Sequence, residues 1–147
     1  MDKKMKVLFL STGNSTRGQM AEGFARQIAG DRLIAANAGI ESPDSNPLVT
    51  EVMKEVGVDI SGQKPKDAAQ SLKEHFGYAV TLYDSARERS PVFPFTTNLI
   101  RWSVKDPTAT DAPAEEKKEQ LRRVRDDIRT KVQGLMDEIA RRIRTAA

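Results

Sequence analysis

An α/β fold, with a parallel sheet covered by helices on both faces, is the class this sequence predicts. Short apolar strands alternate with amphipathic segments, a tight polar loop joins the first strand to a helix, and the last third carries a long helical period. The 147 residues, 38% of them hydrophobic, suffice for a single domain spanning residues 1–147 and are too few for two separate cores.

Lys6 to Leu10 is a continuous apolar run that ends at Ser11, with Gly13 and Asn14 just beyond, as expected of a strand buried on both faces. From Ser15 the pattern becomes helical: Met20, Phe24 and Ile28 lie four apart, and Gly30 is placed to end the helix. Leu33 to Ala38 is a weaker second strand. Asn46-Pro47 opens a helix carrying Leu48, Val49, Val52, Met53 and Val56, stopped by Gly57. A further helix is expected between Pro65 and His75. Tyr78 to Tyr83 and Asn98 to Trp102 are the remaining strands, separated by a loop containing Pro91 and Pro94. Leu121, Val124, Ile128, Val132, Leu135, Ile139 and Ile143 then recur at spacings of three and four, the stripe of a long C-terminal amphipathic helix.

Charged residues make up 31%, but 24 Lys+Arg against 21 Asp+Glu leave only +3, so no large polyanionic partner is implied. The Arg-rich stretch from Arg122 to Arg144 is interrupted by Asp126, Asp127, Asp137 and Glu138, which fits a solvated outer face better than a nucleic-acid surface. With no cysteine, the chain has no disulfides, thiolate metal sites, Cys nucleophiles or thiol relays. The single histidine, His75, lies at the end of a polar segment and reads as a surface residue; no metal or cofactor is expected. Val7 to Leu10, the longest apolar run near the N-terminus, is far too short for a membrane span, so a soluble, cytoplasmic protein is expected.

Ligands in such a fold bind beyond the carboxyl ends of the strands, where Ser11-Thr12-Gly13-Asn14-Ser15-Thr16-Arg17-Gly18 falls. Small residues, possible positive φ at Gly13 and Asn14, and a helix N-terminus would let backbone N–H groups converge on an anion. Arg17 adds a planar fork for two oxygens of a phosphate, arsenate or sulfate. The other reading is a strand-to-helix turn with hydroxyl caps and a surface Arg.

The segment from Val7 to Ala25 closely resembles the opening of arsenate reductases, of the thioredoxin-coupled type, in the low-molecular-weight protein tyrosine phosphatase superfamily. The resemblance continues through Asn37-Ala38-Gly39-Ile40-Glu41, Asn46-Pro47, Val58-Asp59-Ile60-Ser61-Gly62-Gln63, Val80-Thr81-Leu82, Ser90-Pro91-Val92-Phe93-Pro94, Trp102-Ser103 and Asp106-Pro107. It implies a low-molecular-weight phosphatase-like fold with four parallel strands flanked by helices. It also implies an oxyanion cradle over Ser11–Gly18, with catalytic roles mapping to Ser11 (nucleophile position), Arg17 (holding equatorial oxygens) and Asp106 (acid for the leaving group). Substrates of the family's kind would be a phosphorylated small molecule or phosphotyrosine.

The departures bear on chemistry. The family's nucleophilic Cys is replaced by Ser11, and the hydroxyl that follows the Arg and stabilises the thiolate is replaced by Gly18. The redox relay cysteines of the arsenate reductases map to Tyr83 and Ser90. A serine is a weak nucleophile without an activating base, and it neither supplies electrons to As(V) nor forms a disulfide. Thr16, Tyr83 and Gly18 are not the choices of a deliberate knockout, which favours natural divergence. The expected function is therefore oxyanion binding with catalysis lost or severely impaired. The alternatives are a slow serine-based phosphomonoester phosphatase, a cysteine-free form of an active reductase, or a partner-binding protein using its basic C-terminal helix. On the resemblance, Ser11→Cys should create aryl phosphatase activity and Gly18→Ser should raise it. Trp102 and Phe93 are candidates either for the mouth of the site or for plain core.

Overall fold

The structure, a computed structural model, describes residues 4–90, 98–108 and 111–146. Its strands are β1 (Met5–Ser11), β2 (Leu33–Gly39), β3 (Tyr78–Tyr83) and β4 (Asn98–Ser103), all parallel in the order β2-β1-β3-β4. The helices are α1 (Thr16–Ala29), α2 (Leu48–Lys54), the single turn α3 (Ala68–Ser71) and the long α4 (Ala114–Ala146). This is the predicted low-molecular-weight phosphatase-like arrangement. No helix among the described residues is long and apolar enough to cross a membrane. Pro91, Val92, Phe93 and Pro94 lie outside the described residues.

β1 is the central strand, and Val7, Leu8, Phe9 and Leu10 are fully buried, as a run without alternation requires. Period-two geometry sends Val7 and Phe9 to one face, against Met20, Phe24, Val52, Leu121, Ile128 and Val132 of α1, α2 and α4. Leu8 and Leu10 face the other way, onto Ala36, Ala38, Phe76 and Ala79 with Leu72 and Leu99. Trp102 belongs to the first face, its ring 6.3 Å from that of Phe9, so it packs as core.

Helix ends follow the local chemistry. Gly30 closes α1 at φ +60, where its N–H bonds Arg26 O, and Gly57 turns the chain after α2 at φ +78. The helix expected between Pro65 and His75 contracts to α3: Asp67 Oδ1 accepts from Gln70 N at 2.8 Å to start it, and nothing in this polar stretch supplies an apolar stripe to lengthen it. Along α4 the predicted stripe is buried from Leu121 to Ile139, but Ile143, 50% exposed, runs past the core. The outer edge of β2 is covered: Ala35 O accepts from Arg26 Nη2 at 3.0 Å and Asn37 O from Lys66 N at 2.7 Å.

Candidate functional site

Between β1 and α1 the loop crosses the carboxyl end of the sheet. Ser11 lies on the same face as Phe9 and turns its side chain toward α1, where Oγ accepts from Gly18 N at 2.8 Å. Thr12 N donates to Leu82 O at 3.1 Å, Ser15 N to Asp44 O at 2.8 Å, and Thr16 N to Asn14 Oδ1 at 3.1 Å. Ser15 Oγ donates to Pro43 O at 2.7 Å. Gly39 is where β2 presses on this turn: a Cβ there would lie 2.2 Å from Ser42 O and 2.7 Å from Ser15 N. These bonds leave the amides of Gly13, Asn14 and Arg17 without an acceptor among the described residues. The open donors are thus fewer than the expected convergence over Ser11–Gly18. Neither Gly13 nor Asn14 takes a positive φ, because the loop is shaped by its bonds to Leu82, Asp44 and Asn14 Oδ1 rather than by a left-handed turn.

Arg17 is 1% exposed, which excludes the surface-Arg reading. Its Nη1 bonds Glu88 Oε1 at 2.7 Å and Val104 O at 3.0 Å, and its Nη2 bonds Glu88 Oε2 at 3.1 Å. Arg17 Nε is buried with no partner among the described residues. Glu88, which the sequence did not single out, sits in the segment between Tyr83 and Ser90, and its Oε1 also accepts from Asp84 N at 2.6 Å. Only the tertiary fold reveals this pairing, since 71 residues separate the partners.

Asp106 reaches the same place from the loop after β4. Its Oδ1 accepts from Thr108 N at 2.9 Å and Thr108 Oγ1 at 2.6 Å, and Thr108 Oγ1 in turn accepts from Asn14 Nδ2 at 3.1 Å. Thr108 therefore ties the loop of Asp106 to the loop after β1. A Cβ on Gly13 would lie 3.4 Å from Glu88 Oε2 and 3.6 Å from both Arg17 Nη2 and Asp106 Oδ2, so these groups converge over Gly13. Tyr83 ends β3, its carbonyl accepting from Val104 N at 2.8 Å, while Ser90 Oγ lies 2.9 Å from Thr81 Oγ1. His75 is exposed on the surface.

Gly18 bears on the gain expected from a serine at this position. A Cβ there would lie 2.9 Å from Phe9 O, 3.1 Å from Ser11 Oγ and 3.2 Å from Asn37 Cβ. The first of these neighbours is backbone in the central strand, so a serine at 18 does not enter without shifting β1 or α1.

A parallel α/β sheet with a buried arginine at the N-terminus of the first helix, facing an Asp-Pro loop, is the arrangement of a low-molecular-weight phosphatase-like protein. The chain belongs to the low molecular weight phosphotyrosine protein phosphatase family, whose model matches residues 6–145. Among its relatives, the arsenate reductase of Halalkalibacterium halodurans is 40% identical over 128 residues, covering 87% of this chain and 91% of the relative. That of Bacillus subtilis is 39% identical over 128 residues, covering 87% and 91%. A solved structure described as an arsenate reductase in the phosphate binding state superimposes with a TM-score of 0.74 at 28% identity, covering 92% of this chain and 98% of that one.

Proposed function

We propose that this protein binds a tetrahedral oxyanion, phosphate or arsenate, in the Ser11–Gly18 loop, and that it is a pseudoenzyme for the family's thiol chemistry. The observation that carries the reading is the buried Arg17 with an unpartnered Nε, set beside open amides at Gly13, Asn14 and Arg17. Buried donors without acceptors are costly, and a ligand with several oxygens satisfies them together. The solved relative described in a phosphate binding state supports the same assignment.

The atoms present support the reading of catalytic loss. Ser11 Oγ has the Gly18 amide as its one partner among the described residues, so no base takes its proton. Without cysteine the chain holds no thiol to carry electrons to arsenic. Asp106 keeps an oxygen facing the loop, which leaves an acid in place for a nucleophile that is missing.

Titrating inorganic phosphate while following backbone amide resonances tests the reading. The Gly13, Asn14 and Arg17 amides should shift on saturation, and Arg17→Ala should abolish the shifts. Binding that survives Arg17→Ala unchanged places the anion elsewhere.

A further inference from the structure

We propose that the Glu88 carboxylate is the resident anion of the Arg17 fork, so that an oxyanion enters the loop by displacing Glu88 and the segment that carries it. This rests on the oxyanion reading above and adds the step that controls access. A guanidinium as buried as that of Arg17 is strongly unfavourable unless an anion pairs with it. Glu88 supplies that anion through parallel bonds of 2.7 and 3.1 Å, the geometry by which an arginine grips either a carboxylate or a phosphate.

Position matters as much as pairing. Glu88 Oε2 lies 3.4 Å from where a Gly13 Cβ would stand, and Arg17 Nη2 lies 3.6 Å from the same point, so the carboxylate occupies the space between the guanidinium and the loop. A tetrahedral anion held by both would set its oxygens against the Glu88 carboxylate, with Asp106 Oδ2 adding a like charge beside them. The planar carboxylate is also an incomplete ligand, because Arg17 Nε stays buried and unpartnered. Phosphate or arsenate brings oxygens for that N–H and for the open amides, and these extra bonds drive the exchange.

Short tethers hold the resident in place. Asp84 N donates to Glu88 Oε1 at 2.6 Å, Thr12 Oγ1 donates to Arg89 O at 3.3 Å, and the Thr81 and Ser90 hydroxyls lie 2.9 Å apart. The positions that the resemblance assigns to a redox pair, Tyr83 and Ser90, thus bracket a segment that here carries a built-in competitor.

Phosphate titrations of the wild type, Glu88→Gln and Arg17→Ala test the exchange. Glu88→Gln should bind roughly tenfold tighter, as expected if the resident holds the fork about nine-tenths of the time. Its melting temperature should lie below that of the wild type without phosphate and recover with it. In the wild type itself, the Asp84 amide should shift in step with the Gly13 amide, a readout that stands even if Glu88→Gln fails to fold. Equal or weaker binding by a folded Glu88→Gln overturns the exchange and leaves the oxyanion reading intact, as does a saturating Gly13 shift with Asp84 unmoved. Absence of binding in both the wild type and Glu88→Gln overturns the two readings together.

Discussion

Gly18 meets two demands at one residue: its amide must reach Ser11 Oγ, and its Cα must pass close beneath Phe9 O. Substituting Gly18→Ser should therefore destabilise the fold by about 1–3 kcal/mol, the usual cost of overpacking a tight contact, measured by denaturant unfolding. Ser11→Cys is a different case, because the sulfur enters at an existing side chain and faces the same amide at a helix N-terminus, where a thiolate is favoured. This variant should hydrolyse an aryl phosphate above the level of a Ser11→Cys, Arg17→Ala control, and adding Gly18→Ser should lower the rate rather than raise it. A gain from the second substitution would mean that β1 and α1 separate more easily than their packing indicates.

At the scale of elements, α4 is locked to the end of α2 through charge. Glu55 accepts from Arg122 Nε and Nη2 at 3.0 and 2.9 Å and from Arg125 Nη1 at 2.8 Å, and Arg125 Nη1 also reaches Val52 O at 2.9 Å. The hydrogen bonds from Arg122, helped by Arg125, pull the Glu55 carboxyl down from 4.5 to about 2. A lowered folded-state value means that the pair's contribution is complete above about pH 4.5 and fades as pH falls toward about 2. Thermal unfolding between pH 6 and 2 should therefore show a shallower acid loss in Glu55→Gln than in the wild type. Because Glu55 is exposed, the difference should shrink in high salt. The basic residues of the C-terminal helix are thus partly engaged within the molecule: Lys118 pairs with Glu51 and Lys131 with Asp127, besides the Glu55 contacts. α1 and α4 are legible because each carries an apolar period set by helix geometry, and β1 because its unbroken apolar run suits a strand buried on both faces. The region from Pro65 to His75 has no such period, and only the Asp67 cap survives as a helix start. Arg17, Asp106 and the loop could be read as a local motif; Glu88 and Thr108 could not, since their roles arise from contacts 71 and 94 residues apart in sequence.

For the whole molecule, the decisive property is the absence of any thiol. Incubated with arsenate and a reduced thioredoxin system, the protein should form no arsenite, and Ser11→Cys alone should not change this, because the electrons still lack a second sulfur through which to leave. Arsenite production by the wild type at a family-like rate, measured by direct speciation, would defeat this expectation. Another whole-molecule property follows from the covered edge of β2. An open sheet presents unpaired carbonyls at each outer strand, a template on which a neighbouring copy can add its own strand. Here Arg26 from α1 and the Lys66 amide already bond the outward carbonyls of Ala35 and Asn37, leaving the exposed Ile34 side chain without the backbone ladder that would turn a sticky patch into a growing ribbon. The same arginine that braces buried Glu22 thus withholds one carbonyl of this edge from strand addition, at a position remote from the Ser11–Gly18 loop.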